Sequence, residues 1–274
     1  MVDGSIFSSG ITNARLKAYP SKTVMQVCSV DIFPNGANQV RRYNVPPAGM
    51  GHDPERAKEI SQRRAKAKIM DIALCNPFSY FFTWTLDGNL IDRYDEKAVY
   101  QKVRAFLSNA VSRKNFEYVL VPEHHKIKEG EEKPAIHMHG LCNLGQVKIQ
   151  PAYYTKGPRA GMQIKDNSGR IIYNMVDWKY GFSTCISVDG QYERTVNYLT
   201  KYITKSDEKI FGKWYLSSRN LRKSPEIIPL DGISFDEFLD EKKLAAHEQI
   251  LIDLYENGPQ MVVEEFPPLS PEET

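Results

Sequence analysis

The stretch AIHMHGLCNL, residues 135–144, decides how the chain is read. Its apolar run bounded by polar residues reads as a strand, yet two of only six histidines in the chain, His137 and His139, fall inside it. In an extended segment, side chains two residues apart project from one face with Cβ atoms about 6–7 Å apart. Two imidazoles so placed can converge on a single ion.

The preceding FEYVLVPEHH (116–125) is a second strand, and the polar KIKEGEEKP between the two reads as a hairpin loop. Glu123 lies on the same alternate face as Val119 and Val121, and the span from it to His137 forms one hairpin. Pairing of the two strands would set Glu123 beside His137 at the open end of the ladder. Two histidines and one carboxylate then form a three-ligand site with open positions. That donor set suits Mn²⁺ or Mg²⁺ better than a structural zinc, which wants four protein ligands and usually cysteine. The first task of such an ion is to polarise a phosphoryl oxygen. His124 and His125 are alternative third ligands, and a pair of strand histidines satisfied by neighbours is the plainer reading of the same residues.

Further out, SYFFTWTLD (79–87) reads as a buried strand and GFSTCISV (181–188) as another. DEKAVYQKVRAFLSNAVSRK (95–114) is an amphipathic helix with Val99, Val103, Phe106, Leu107 and Val111 on one stripe. MQIKDNSGRIIYNMVD (162–177) reads as an inserted hairpin around Asn167, Ser168 and Gly169. DPERAKEISQRRAKAKIMDIAL (53–74) has an Asp N-cap followed by Pro and reads as a basic helix. Its Arg63, Arg64, Lys66 and Lys68 either ride on phosphates or form a solvated face. QYERTVNYLTKYITKS (191–206) is best read as a helix despite its Thr, Val and Ile content. This order predicts an α+β fold, a central antiparallel sheet of about five strands with helices packed on one side of it. The expected division is an N-terminal extension with the basic helix (1–77), the central domain (78–223) and an acidic C-terminal tail (224–274). The tail carries an amphipathic helix over 233–257, ISFDEFLDEKKLAAHEQILIDLYEN, and a frayed Pro-rich end.

At 274 residues, with 41% hydrophobic and 26% charged residues, the composition is that of an ordinary globular chain. The net charge of +2 averages two unlike pieces. The segment 224–274 holds 2 Lys+Arg against 13 Asp+Glu, and the rest of the chain holds 34 against 21. A basic body suits a polyanion; the acidic tail either mimics that polyanion or serves solubility. No apolar run approaches the roughly 20 residues that span a bilayer, and MVDGSIFSSG lacks the basic and apolar regions of a signal peptide. The chain is read as soluble and intracellular, without a membrane partner. Cys28, Cys75, Cys142 and Cys185 lie far apart with no CxxC pair, which excludes a zinc ribbon or disulfide scaffold and leaves structural thiols.

NYLTKYITKS places Tyr198, Tyr202 and Lys205 at i, i+4 and i+7 on one helix face, with Lys201 beside them. A phenol with an unperturbed pKa near 10 is a weak nucleophile at neutral pH, and neighbouring cations make its attack on a phosphodiester feasible. Core tyrosines of an amphipathic helix are the alternative.

FFTWTLD, then HMHG, then YLTKYITK, in this order and at these intervals, resembles motifs I, II and III of the HUH-superfamily rolling-circle replication initiators. The double-tyrosine YxxKYxxK form is similar to that of microvirus and phage replication proteins. The likeness covers roughly residues 78–206 and fades outside the motifs. It implies an antiparallel sheet with the nucleophile helix beside a metal held by His137, His139 and an acidic third ligand at Glu123, although the loop after Glu123 is longer than in compact viral members. It makes Tyr198 and Tyr202 nucleophiles, with Lys201 and Lys205 accompanying them, and puts Thr83 and Thr85 of motif I near bound DNA. The implied activity is site-specific nicking and joining of single-stranded or origin DNA through a 5′-phosphotyrosine bond, starting and ending rolling-circle replication in the cytoplasm of a bacterial cell. With no GxxxxGK[ST] in the chain, unwinding is expected from a host helicase and extension from a host polymerase. GKWYLSSRNLRK (212–223) adds Arg219, Arg222 and Lys223 interleaved with Trp214 and Tyr215, either a strand-binding extension or a linker packed on the sheet. A relaxase, a transposase or a non-cutting DNA-binding protein on the same fold are the competing readings. A metal-dependent amidohydrolase lacks its further ligands, since only His247 remains downstream.

Overall fold

The computed structural model describes residues 11–34, 53–127, 133–188, 190–206, 208–238, 250–253 and 260–269. The chain forms two compact units, residues 51–223 and residues 1–50 together with 224–274. It is a mixed α+β protein built on antiparallel sheets.

The first strands are β1 (Ile11–Thr12), β2 (Ala14–Ala18), β3 (Thr23–Cys28) and β4 (Phe33–Pro34). The larger unit then opens with helix α1 (Pro54–Cys75), where Asp53 accepts the Arg56 N–H at 3.0 Å and Pro54 occupies a first-turn position that needs no donor. It continues through β5 (Tyr80–Leu86), α2 (Glu96–Lys114), β6 (Glu117–His124), β7 (Ile136–Asn143), β8 (Ile149–Pro151), β9 (Tyr173–Met175), β10 (Gly181–Ser187), α3 (Tyr192–Lys205) and β11 (Leu216–Ser217). Each of these longer elements lies within a residue or two of its sequence-based position. The sheet order is β11-β6-β7-β5-β10-β9-β8, so the sheet has seven strands among the described residues rather than five. Four long central strands are extended by short edge strands that carry little periodicity of their own. The inserted hairpin turns where expected: Asp166 accepts the N–H groups of Ser168 and Arg170 at 2.9 Å, and Gly169 supplies the positive φ.

The helices do not share one side of the sheet. Val99, Val103, Leu107 and Ala110 of α2 bury one face against Phe82, Trp84, Leu120 and Met138. α1 and α3 cover the other, where Ile69, Ile72, Val196, Leu199 and Ile203 meet Val119, Val121 and Leu141. The cause is in β6, which is apolar on both alternate faces and so needs cover on both. His137 and His139 fall on the α1–α3 face.

At its far end, Lys114 closes α2 by pairing with Asp177 at 2.7 Å, and Asp177 also accepts the Lys148 N–H at 2.9 Å. Burial alone would raise the Asp177 carboxyl, but Lys114 and the amide outweigh it and hold the group below its ordinary value. A depressed pKa contributes stability above the unfolded value of about 3.9, and that contribution is lost as pH falls through the folded value. Asp177→Asn is therefore expected to flatten the acid limb of stability while costing at most about 1 kcal/mol at neutral pH, because solvent screens the pair. Urea unfolding at neutral and acid pH checks this; parallel acid limbs in parent and variant would refute it.

The smaller unit is completed by β12 (Glu226–Leu230), β13 (Ile250–Asp253) and β14 (Gln260–Phe266), in the order β12-β2-β3-β14-β13. Ala14, Val27, Phe238 and Val262 form its core. This corrects the reading of residues 233–257 as one acidic helix within a helical tail. A helical turn does start at Phe235, with the Ser234 hydroxyl accepting the Glu237 N–H at 3.3 Å. Ile250–Asp253, however, is a strand, its β-branched Ile250 and Ile252 pairing opposite Val263 and Met261. Residues 239–249 and 254–257 of that stretch lie outside the described residues, as does much of the loop expected between β6 and β7. All four cysteines are buried free thiols. No helix among the described residues is long and apolar enough to cross a membrane.

Candidate active site on the α1–α3 face

The register of the three central strands builds the site. β6 pairs with β7 so that Glu123 stands opposite His137 and Val121 opposite His139, as the hairpin spacing required. β5 pairs with the other edge of β7, setting Thr83 opposite His139 and Thr85 opposite His137. Residues directly opposite in an antiparallel ladder share a face. One face therefore carries Phe81, Thr83, Thr85, Glu123, His137 and His139 together.

His139 is held at both ring nitrogens. Its Nδ1 lies 3.1 Å from the Thr83 hydroxyl and its Nε2 lies 3.0 Å from Glu123 Oε2. Burial would raise the Glu123 carboxyl, but its bond to His139 and the nearby Lys205 ammonium, 3.6 Å from Oε1, hold it below its ordinary value. Glu123 is thus an anion at neutral pH. The His137 ring packs against His125 at 4.5 Å between centroids, which puts His125 on this face as well.

α3 brings the tyrosines down onto this group. Its apolar stripe, Val196, Leu199 and Ile203, seats it on the sheet, and Gln62 of α1 donates to the Ile203 and Ser206 carbonyls at 3.0 and 3.1 Å, fixing its C-terminal end. Tyr202, only 5% exposed, stacks on the His139 ring at 3.7 Å with the planes 9° apart. Its hydroxyl donates to the Tyr198 hydroxyl at 2.7 Å. Tyr198 is 47% exposed and leans on Phe81 at 5.6 Å. The Lys205 ammonium sits 4.6 Å over the Tyr202 ring. Burial, the bond to Tyr198 and the Glu123 charge all push the Tyr202 pKa far above its ordinary value. The two phenols, alike in sequence, are unlike in place: one is a buried donor, the other an exposed acceptor.

The structure brings together Glu123, His139, Tyr198, Tyr202, Lys205 and Thr83. Lys201 is exposed on α3, and Arg63 and Arg64 are exposed on α1. Arg219 and Arg222 are exposed in the segment after α3. Lys223 differs from its expected role as a strand contact: its ammonium is bound internally, to the Ser217 hydroxyl at 2.9 Å and the Ser218 carbonyl. Two residues escaped the sequence reading. Thr83 fixes the histidine rather than standing only as a strand position. Phe182, opposite Thr85 on β10 and 69% exposed, presents a large aromatic face on the open half of the same sheet face. The alternation in GFSTCISV places Phe182 and Thr184 on one side, but which side is wet depends on where α3 docks.

A second group lies on the other face of β6. His124 has its ring nitrogens 3.9 Å from Glu96 Oε1 and 4.0 Å from Glu208 Oε1. The ligand atoms of these three residues lie within 4.8 Å of one another, so they form a donor set that a metal ion can use.

Residues 79–207 match the family model for the ORF2 type of replication-associated protein. The match runs from the start of β5 past the end of α3, spans all the residues of the tyrosine–histidine face named above except those of α1, and is consistent with a rolling-circle replication initiator. No curated protein and no solved structure matches the chain significantly.

Proposed function

We propose that this replication-associated segment is a nicking and joining centre for single-stranded DNA, acting through tyrosine. The observation that carries the reading is the stack of Tyr202 on His139 with the Tyr198 hydroxyl 2.7 Å beyond it. Nucleophile candidates and metal-ligand candidates share one small patch.

The residues fit a divalent ion. His139 offers Nε2 because Thr83 engages Nδ1, and the anionic Glu123 already sits at that nitrogen and faces His137 across the ladder. His137, His139 and Glu123 would hold Mn²⁺ or Mg²⁺, and a bound ion would supply charge withdrawal from the scissile phosphate. The chain's own residues supply the rest. Tyr198 is the attacking group: its exposed oxygen accepts the Tyr202 proton donor, which lowers the cost of negative charge on Tyr198 as it loses its own proton. The bond from Tyr198 Oη to phosphorus forms as the bond to the 3′-oxygen breaks, leaving a 5′-phosphotyrosine and a free 3′-OH. Lys201 or Lys205 donates the proton that the departing oxygen requires. Tyr202, its proton held tightly by burial and by Tyr198, waits for a second cut. A chelator is expected to abolish formation of a denaturation-resistant protein–DNA adduct with labelled single-stranded oligonucleotide, and added Mn²⁺ to restore it. An adduct that forms equally in chelator would remove the metal from the account.

The strand would lie over the half of the face that α3 leaves open. An exposed aromatic there is a stacking platform for a base, worth about 1–3 kcal/mol. Phe182→Ala is expected to weaken binding of single-stranded DNA by roughly 5- to 150-fold with an unchanged melting curve, since the side chain packs against little. Fluorescence anisotropy reads it; unchanged affinity would take the strand off this surface.

A further inference from the structure

The segment that leaves α3 builds a second feature on the opposite side of the sheet. Residues 209–219 pass beside α2 and enclose a groove of about 740 Å³. Arg104 of α2 and Lys209, Lys213 and Arg219 of the segment line it, with Tyr100 and Tyr215 as aromatic walls, and no Asp or Glu is among its described lining residues. The groove is preformed. β11 pairs with the edge of β6, Ser218 and Tyr118 exchange hydrogen bonds at 3.0 and 3.2 Å, and Lys223 ties down Ser217 and Ser218. Tyr100 is set by stacking on Phe211 at 5.1 Å.

Four cations without a carboxylate specify an anion, and aromatic faces between them specify one that carries planar rings. The volume lies within the range of about 300–1,000 Å³ typical of small-ligand sites. We propose that this groove binds a flanking stretch of the same single-stranded DNA, its phosphates on Arg104, Lys209, Lys213 and Arg219 and its bases against the tyrosines. The inference rests on the single-stranded DNA reading above and extends it to a surface outside the tyrosine–histidine patch. Continuity favours the same strand over a separate nucleotide, because Lys209 follows the last residue of α3, Lys205, by four positions.

The test is anisotropy with a labelled oligo(dT) series of increasing length, at several salt concentrations. The parent is expected to gain affinity in a step once the oligonucleotide is long enough to reach the groove. The double variant Arg104→Glu with Lys213→Glu is expected to lose that step, binding the longest oligonucleotide about tenfold or more weaker and the shortest nearly as before. Its salt slope should fall by about 1.4, the value for two phosphate contacts on a single strand. A control pair of equal charge change, Lys156→Glu with Lys165→Glu on the exposed 153–171 hairpin, should keep the step. Loss of the step in both pairs, its persistence in the groove variant, or competition by mononucleotide as effective as by the long strand would each overturn the proposal. Adduct formation is scored on the same preparations. A parent that shows the length step without any adduct contradicts the nicking reading and leaves the groove standing.

Discussion

Tyr198→Phe is expected to abolish the covalent protein–DNA adduct, lowering its rate of formation by about 10³-fold or more, as removal of a nucleophile does. The fold should be unaffected, because Tyr198 is 47% exposed and its hydroxyl is an acceptor on the outer side of the pair. Tyr202→Phe is expected to behave differently. It deletes the donor to Tyr198 but keeps the ring on His139, so first-turn adduct formation should fall by about 1.5–3 kcal/mol, roughly 10- to 100-fold. Release or transfer of the bound strand should stop. Rates measured on one oligonucleotide for the two variants separate the roles. Equal loss in both would mean that the buried and exposed phenols are interchangeable, against the asymmetry of their surroundings.

Gly140→Ala is expected to be the most destabilising single methyl addition in the central sheet. Gly140 follows His139 and faces the α2 side, where it is paired with Phe82 on one strand and Leu120 on the other. A Cβ there would stand 2.5 Å from Phe82 Cζ and 2.6 Å from the Val119 carbonyl oxygen. Phe82 is fully buried and packed on Trp84 and Phe116, so it has nowhere to retreat. Overpacking of this kind costs about 3 kcal/mol, a fall of about 10 °C in Tm for a unit of this size. Adding Phe82→Leu should recover part of the loss, but not all, because the carbonyl cannot move without the strand. Thermal unfolding decides it; a variant within about 1 °C of the parent would show the sheet to be looser here than its packing implies.

Much of this site was legible in the chain because its spacings are local. The interval from Glu123 to His137 is compatible with one hairpin, and the hairpin fixes their pairing. The i, i+4 spacing of Tyr198 and Tyr202 prevails over the β-branched content of α3, since Val196, Leu199 and Ile203 need a helix to form one buried stripe. What could not be read is what depends on distant partners. The bond from Thr83 to His139 needs the register of β5 against β7, strands separated by α2 and β6. The dry and wet faces of β10, and with them the exposure of Phe182, depend on where α3 ends. Strand β14 pairs with β3 from the opposite end of the chain, so its MVVEEF run carried no hint of a partner. The acidic composition around Leu244 to Asn257 suggested a helix, but Ile250 and Ile252 answer to a neighbouring strand instead.

The most direct test is to trap the adduct formed by the unaltered protein with labelled single-stranded DNA and Mn²⁺, digest it, and sequence the peptide that keeps the label. The phosphate is expected on Tyr198, within the peptide that also contains Tyr202. A label elsewhere in the chain, or none under conditions where the DNA is bound, would contradict the assignment of this histidine-backed tyrosine pair as the reacting centre.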